Sequence, residues 1–161
     1  MALNAYLTVQ GETQGAIHGS VTMAGRENQI AVYGWTHEIL SPRDAASGLA
    51  TGKRQHTPLT VTKPIDKATP RLLQAQATNE SLTAVLRAWQ PSRSGKELQY
   101  YTISLTNAVI SQIQSEMLNN QYPENMKHEV REHVSFVYQS IAWTFEDGGV
   151  VFQDTWNQPA L

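Results

Sequence analysis

Alternation with period two, repeated in segment after segment, is the feature that most restricts what this chain folds into. In residues 3–9, Leu3, Ala5, Leu7 and Val9 fall on one side of an extended chain and Asn4, Tyr6 and Thr8 on the other. Residues 29–39, QIAVYGWTHEI, set Ile30, Val32 and Gly34 against Ala31, Tyr33, Trp35 and His37, so both faces of this strand have something to bury. PLTVT at 58–62, SLTAVLRAW at 81–89 and YYTISLTNAVISQI at 100–113 are rich in β-branched or aromatic residues and are read as strands, with Asn107 the place for a bend or bulge. The strongest signal is EHVSFVYQSIAWTF at 132–145, where Val134, Phe136 and Tyr138 oppose Val137, Ile141, Trp143 and Phe145. Glu146-Asp147-Gly148-Gly149 then offers residues that accept positive φ in a hairpin turn, and VVFQDTW at 150–156 returns.

One segment departs from this period. In TPRLLQAQAT, Thr69 is the predicted cap, Pro70 suits the first helical position, and Leu72, Leu73, Ala75 and Ala77 favour a short helix ending near Asn79. Residues 41–57, SPRDAASGLATGKRQHT, carry turn residues and mixed charge without a sustained period, which predicts a long surface extension between two strands. No internal repeat and no low-complexity tract is present.

At 161 residues the chain reads as one domain over 1–161, large enough for a core that needs no metal or disulfide staples. Charged residues make up 16% of it, against an average of about 25%. Its polar surface is therefore carried by Thr, Ser, Gln and Asn, which tolerates self-association. The net charge of −2, with no basic cluster longer than Lys53-Arg54, excludes the electrostatic footprint of a nucleic-acid binder. Without cysteine there is no disulfide framework, thiolate nucleophile or cysteine-based zinc site. MALNAYLTVQ lacks a basic region followed by an apolar run, and no segment approaches the roughly 18 apolar residues of a membrane span. The expectation is a soluble cytoplasmic chain with no membrane insertion, exported, if at all, by a route that needs no signal peptide.

Tests for chemistry give little. Gly48 and Gly52-Lys53 are separated as no phosphate loop is, and Arg54 stands where Ser or Thr should hold magnesium. His128 and His133 are five apart, on opposite faces if extended, and His18, His37 and His56 lie in separate segments without ligand spacing. His37, beside Trp35, reads as a hydrogen-bonded histidine on a half-buried strand. Asp44, Glu146, Asp147 and Asp154 are the carboxylates nearest loops, but Glu146 and Asp147 suit the turn and Asp154 suits the surface of the last strand. Tyr100-Tyr101, Trp89, Trp143 and Trp156 read as core or subunit-contact aromatics. The chain is expected to have no catalytic residues, no cofactor and no metal.

Taken in order, AYLTVQGETQG at 5–15, GKRQHTPLTVTKPIDKATPRLLQA at 52–75, YYTISLTNAVISQI at 100–113, EHVSFVYQSIAW at 132–143 and Asp154-x-Trp156 make the chain resemble the haemolysin-coregulated protein (Hcp) family, the tube-forming proteins of type VI secretion. Gln76, where an apolar residue is expected, and Asn79, where glycine usually ends the helix, depart from that pattern. The resemblance implies a mainly β fold: a small β-barrel of two sheets with one α-helix packed on its side and an extended β-hairpin-like loop. It implies a homohexameric ring, and stacked rings forming a tube capped by a spike protein and wrapped by a contractile sheath. Small effector proteins are carried and protected in the lumen. Some relatives carry an added toxin domain, which is not expected here because the sequence stops at Leu161. In such an assembly the charges of the extension, Arg43, Asp44, Lys53 and Arg54, are the expected ring-stacking residues. The alternative from another class is a monomeric β-barrel that binds a small apolar ligand. A hydrolase built on the scattered carboxylates has only their availability in its favour.

Overall fold

A computed structural model describes residues 3–157. Among them the elements follow one another as β1 (Asn4–Gly11), β2 (Gly15–Ile17), β3 (Ile30–Val32), β4 (Gly34–Thr36), β5 (Ile39–Leu40), β6 (Gln55–His56), β7 (Leu59–Pro64), α1 (Thr69–Thr78), β8 (Leu82–Pro91), β9 (Glu97–Glu116), β10 (Arg131–Val137), β11 (Ser140–Phe145) and β12 (Val150–Thr155). The fold is mainly β with one α-helix, as the alternation predicts. No helix among the described residues is long and apolar enough to cross a membrane.

Hydrogen-bonded neighbours run β2-β1-β8-β9-β10-β7-β4, and β3 pairs with β1. The segment Ile30–Thr36 joins the two ends of this path. Ile30 to Val32 lie opposite Leu7 to Ala5 of β1, and Gly34 to Thr36 lie opposite Thr62 to Thr60 of β7. Tyr33 sits between them and donates its N–H to the Thr62 carbonyl at 2.7 Å. The expected single strand 29–39 is therefore three short ones, β3, β4 and β5, serving different partners.

Two further corners are built the same way. Thr106 of β9 pairs with Ser140 of β11, whereas Val109 of the same strand pairs with Val137 of β10. Between them Asn107 adopts φ 49°, and the β8 register slips opposite it, between Leu82 and Ala84. That is the bulge expected at Asn107. The expected strand 132–145 is broken at Tyr138-Gln139 into β10 and β11. Val134, Phe136 and Tyr138 point inward before the break and Ile141 after it, so the phase of the alternation flips there. Period-two patterning survives on either side because the chain never leaves the barrel wall, and the change of pairing partner enters it only as a shift of phase.

Glu146 to Gly149 connect Phe145 to Val150 as expected, with Gly148 and Gly149 at φ 84° and 61°. In α1, Leu72 and Ala75 are buried one turn apart and the helix lies against β9. Thr69 is not its cap. It is the first helical residue and is itself buried, while the Asp66 carboxylate accepts the Ala68 N–H at 3.0 Å. Asn79 ends the helix in the left-handed conformation, φ 54° and ψ 41°, and Glu80 N–H closes on the Ala75 carbonyl at 2.9 Å. Gln76 keeps the last turn on the sheet by donating to the Ser111 carbonyl at 3.5 Å, a polar tie in place of an apolar contact.

Candidate functional site at the foot of the extension

β5 and β6 pair as a two-stranded ribbon, Ile39 opposite His56 and Leu40 opposite Gln55, and lift residues 41–54 away from the barrel. A bridge between Arg43 and Ala50 continues the ribbon. Its tip is self-contained. The Asp44 carboxylate accepts the Ser47 N–H and hydroxyl, each at 2.7 Å, which holds that carboxyl below its ordinary value, and Asp44 N–H donates to the Leu49 carbonyl at 2.8 Å. Arg43, Asp44 and Lys53 are exposed along this arm.

Arg54 turns the other way, back onto the barrel. Its Nε donates to Asp154 Oδ2 at 2.5 Å and its Nη2 pairs with Asp154 Oδ1. Asp154 was expected at the surface of the last strand; the structure leaves it 3% exposed. A buried carboxylate needs partners, and here they are the Arg54 fork, the Thr155 N–H and His56 Nε2 at 3.0 Å. The Arg54 guanidinium is the main reason the Asp154 carboxyl is pulled down to about 2.

Behind His56 stands a chain of hydrogen bonds. His56 Nδ1 lies 2.8 Å from the Tyr138 hydroxyl, and His37 Nε2 lies 2.8 Å from the same oxygen. Both ends are boxed by aromatic rings, His56 stacked on Trp156 at 5.7 Å and His37 tilted against Trp143 at 6.0 Å. Burial, then the nearness of His56, holds the His37 imidazole below its ordinary value. Burial, then the Asp154 charge, pushes the Tyr138 phenol well above its own.

Tyrosine, histidine and aspartate in sequence resemble a nucleophile, a base and its orienting acid. The physical state is the reverse of what a nucleophile needs, since the Tyr138 hydroxyl is covered, bonded on both sides and more reluctant than in water to lose its proton. The group is a strut between the arm and the barrel. His37 is the hydrogen-bonded histidine that was expected, although it lies just past the end of β4. The meeting of His37, His56, Tyr138 and Asp154 was not expected, and the one hint in the sequence is a histidine at each foot of the extension.

The other candidates stay apart. Glu146 accepts the Thr102 hydroxyl at 2.6 Å and Asp147 is in the same turn, whereas Asp154 pairs with Ile141 at the opposite end of the β11–β12 hairpin. His133 meets Thr62 Oγ1 at 2.9 Å, and His18 and His128 are exposed in loops. Trp143 stacks on Phe152 at 5.8 Å and 7°. Trp89 carries the Arg26 guanidinium 3.8 Å from its ring centroid, and Arg26 in turn meets Glu97 Oε2 at 2.7 Å.

A second feature lies at the sheet margin. Among the described residues β12 pairs with β11 alone, and Val150, Val151 and Phe152 are 66%, 59% and 62% exposed on it. Three consecutive apolar residues on an edge that no other described residue pairs with are a template for another chain.

Comparison with known proteins agrees with this architecture. Residues 6–145 match the family described as "Type VI secretion system effector, Hcp". The chain is 39% identical to the "Major exported protein" of Pseudomonas aeruginosa, over 99% of this chain and 98% of that one. A crystal structure of an Hcp protein superposes with a TM-score of 0.92 at 28% identity, covering 98% of this chain and 100% of the other. The secreted protein Hcp3 of Pseudomonas aeruginosa superposes with a TM-score of 0.80 at 30% identity, again over 98% and 100%. The chain belongs to the Hcp family of type VI secretion proteins.

Proposed function

We propose that the protein is the repeating unit of a tube: a homohexameric ring that stacks on further rings, carries small effector proteins in its lumen, and leaves the cell with a spike protein at its tip and a contractile sheath around it. The observation that carries this reading is the apolar edge of β12. A cyclic, head-to-tail contact covers such an edge on every copy at once, whereas an open contact would propagate into aggregates. The barrel interior is already filled by Leu7, Ile30, Leu59, Ile103 and Phe136, so the binding surfaces of the molecule are its outside faces. Catalysis is not part of the proposal. Turnover of a hydrolytic substrate abolished by Asp154→Asn would reverse that.

Phe152→Lys is expected to convert rings to folded monomers, because one charge per subunit is placed at every contact of the ring. Light scattering reads the mass and circular dichroism the fold. The wild-type ring is expected to persist in about 0.5 M NaCl, where the screening length is roughly 4 Å. Rings that survive Phe152→Lys, or that dissociate in this salt, would show that the contact lies elsewhere or is mainly ionic.

Stacking is assigned to the extension. Arg43, Asp44 and Lys53 are its outward charges; Arg54, bound to Asp154, serves it by anchoring its foot. Replacing Asp44 to Gly52 with a short Gly/Ser turn removes no core residue and leaves Arg54 in place. Single rings are expected to remain, with tube formation and secretion reduced. Loss of the thermal transition in that variant would show that the arm holds up the barrel.

A further inference from the structure

The tip of the arm is an apolar point closed by its own hydrogen bonds. Gly48, at φ 72°, lets the chain turn back, and its N–H donates to the Asp44 carbonyl at 2.8 Å, while Asp44 N–H closes on the Leu49 carbonyl at 2.8 Å. Below the turn, Thr51 N–H donates to the Pro42 carbonyl at 3.0 Å and the Arg43–Ala50 bridge ties the two legs together. Leu49 stands on this turn 68% exposed. A lone exposed leucine is ordinary, but one held on a closed turn at the end of an arm has little conformational freedom left to lose on docking.

A hollow of matching chemistry lies on the barrel. Leu3, Ala5, Val32, Trp35, Ala88 and Tyr100 supply its apolar wall, and its volume is about 180 Å³. Sites for small ligands run to roughly 300–1,000 Å³, whereas an apolar cavity of about 150 Å³ already takes a group the size of benzene. The hollow therefore suits one side chain better than a separate ligand.

Position decides whose side chain it takes. Asp154, which holds Arg54 at the foot of the arm, lies in a register row that runs through Val9, Ala84, Leu105 and Ile141. The hollow lies at the row of Ala5, Ala88 and Tyr101, four residues along the same strands and about 13 Å away. No residue of the arm is part of its lining, so a chain's own tip does not fill it. Rings stacked head to tail, with these strands along the tube, set the arm end of one copy against the hollow end of the next. The charges agree with that pairing. Asp44 is engaged by Ser47 and Arg54 by Asp154, which leaves Arg43 and Lys53 to face a partner. Beside the hollow, Tyr33 of its lining donates to Glu129 at 2.6 Å, which puts an exposed carboxylate at the rim.

We propose that Leu49 at the tip of each arm inserts into this hollow on a second copy in the next ring, with Arg43 set toward Glu129 at the rim, and that the apolar knob carries most of the stacking affinity while the charges orient it. The inference rests on the stacking role proposed above and names the site that receives the arm.

Electron microscopy of the full chain reads tubes, and light scattering with circular dichroism reads rings and fold. Burying one leucine is worth a factor of about ten or more, and each subunit of a ring-on-ring joint supplies one. Leu49→Asp is therefore expected to abolish tubes at a concentration where wild type forms them, with single rings and their thermal midpoint unchanged. Leu49→Met, close in volume, is expected to keep tubes. Gly34→Leu tests the other side of the contact. A Cβ there meets nothing within 4 Å, so the new side chain takes up space in the hollow without moving the barrel, and tubes are again expected to be lost while rings remain. Undiminished tubes in Leu49→Asp, or in Gly34→Leu, overturn the docking and leave the stacking role to the arm's charges. A wild type that makes rings but no tubes removes the stacking role, and the docking with it.

Discussion

Lys63→Met is expected to lower stability by about 3–5 kcal/mol, because it leaves a fully buried carboxylate without its counter-charge. Lys63 is on the inward face of β7 beside Leu59 and Val61, and it is 0% exposed. Directly opposite in the β7–β10 register stands Glu132, also 0% exposed. The ammonium pairs with Glu132 Oε1 and reaches the Pro64 carbonyl and Asp66 Oδ1, each at 2.9 Å. Thr69 adds its hydroxyl to Glu132 at 2.8 Å, so strand, strand and helix start are joined at one point. Methionine keeps most of the aliphatic stem and removes the ammonium together with its hydrogen bonds to Glu132, Asp66, Thr69 and the Pro64 carbonyl. Glu132 then keeps Thr69 alone, and Glu132 Oε2 already has no hydrogen-bond partner. A loss of this size moves the thermal midpoint by about 10 °C in a protein of this length. Lys63→Met with Glu132→Leu is expected to recover most of it, since replacing both charges by apolar groups removes the desolvation cost with the attraction. A single variant within about 1 kcal/mol of wild type would mean that water reaches the pair.

Phe136→Ala is expected to cost about 3–5 kcal/mol by leaving a cavity that β10 cannot collapse into. Phe136 is 0% exposed, pairs with Leu59 on one side and Ile110 on the other, and follows the register shift after Ser135. Both neighbouring strands are held by their own ladders, so the space has little chance to close. Chemical denaturation at one fixed protein concentration is the measurement, because the ring proposed above would tie apparent stability to concentration. An unchanged slope with a lowered midpoint is the expected pattern. A loss below about 1.5 kcal/mol would show that the corner repacks.

Much of this was legible locally. Alternation marks the strands, Asn79 and Asn107 sit where the chain takes positive φ, and Gly148-Gly149 closes the last hairpin, because each depends on residues within one turn or a few positions of one another. Lys63 stands in phase with Leu59 and Val61, which already places a charge on an apolar face. Its partner is invisible, since Glu132 lies 69 positions away.

The sequence by itself determined the fold class, the hairpin and helix end, and the position of an arm between two strands. Tertiary structure alone decided where three continuous-looking strands turn from one set of partners to another, that Asp154 is buried, that Arg54 folds back onto it, and that His37, Tyr138 and His56 share one hydroxyl. Periodicity reports the conformation of the chain at each residue, and that is a short-range property. Pairing and burial of a polar group are contacts between segments of unrelated spacing, and they are fixed only when the whole barrel closes.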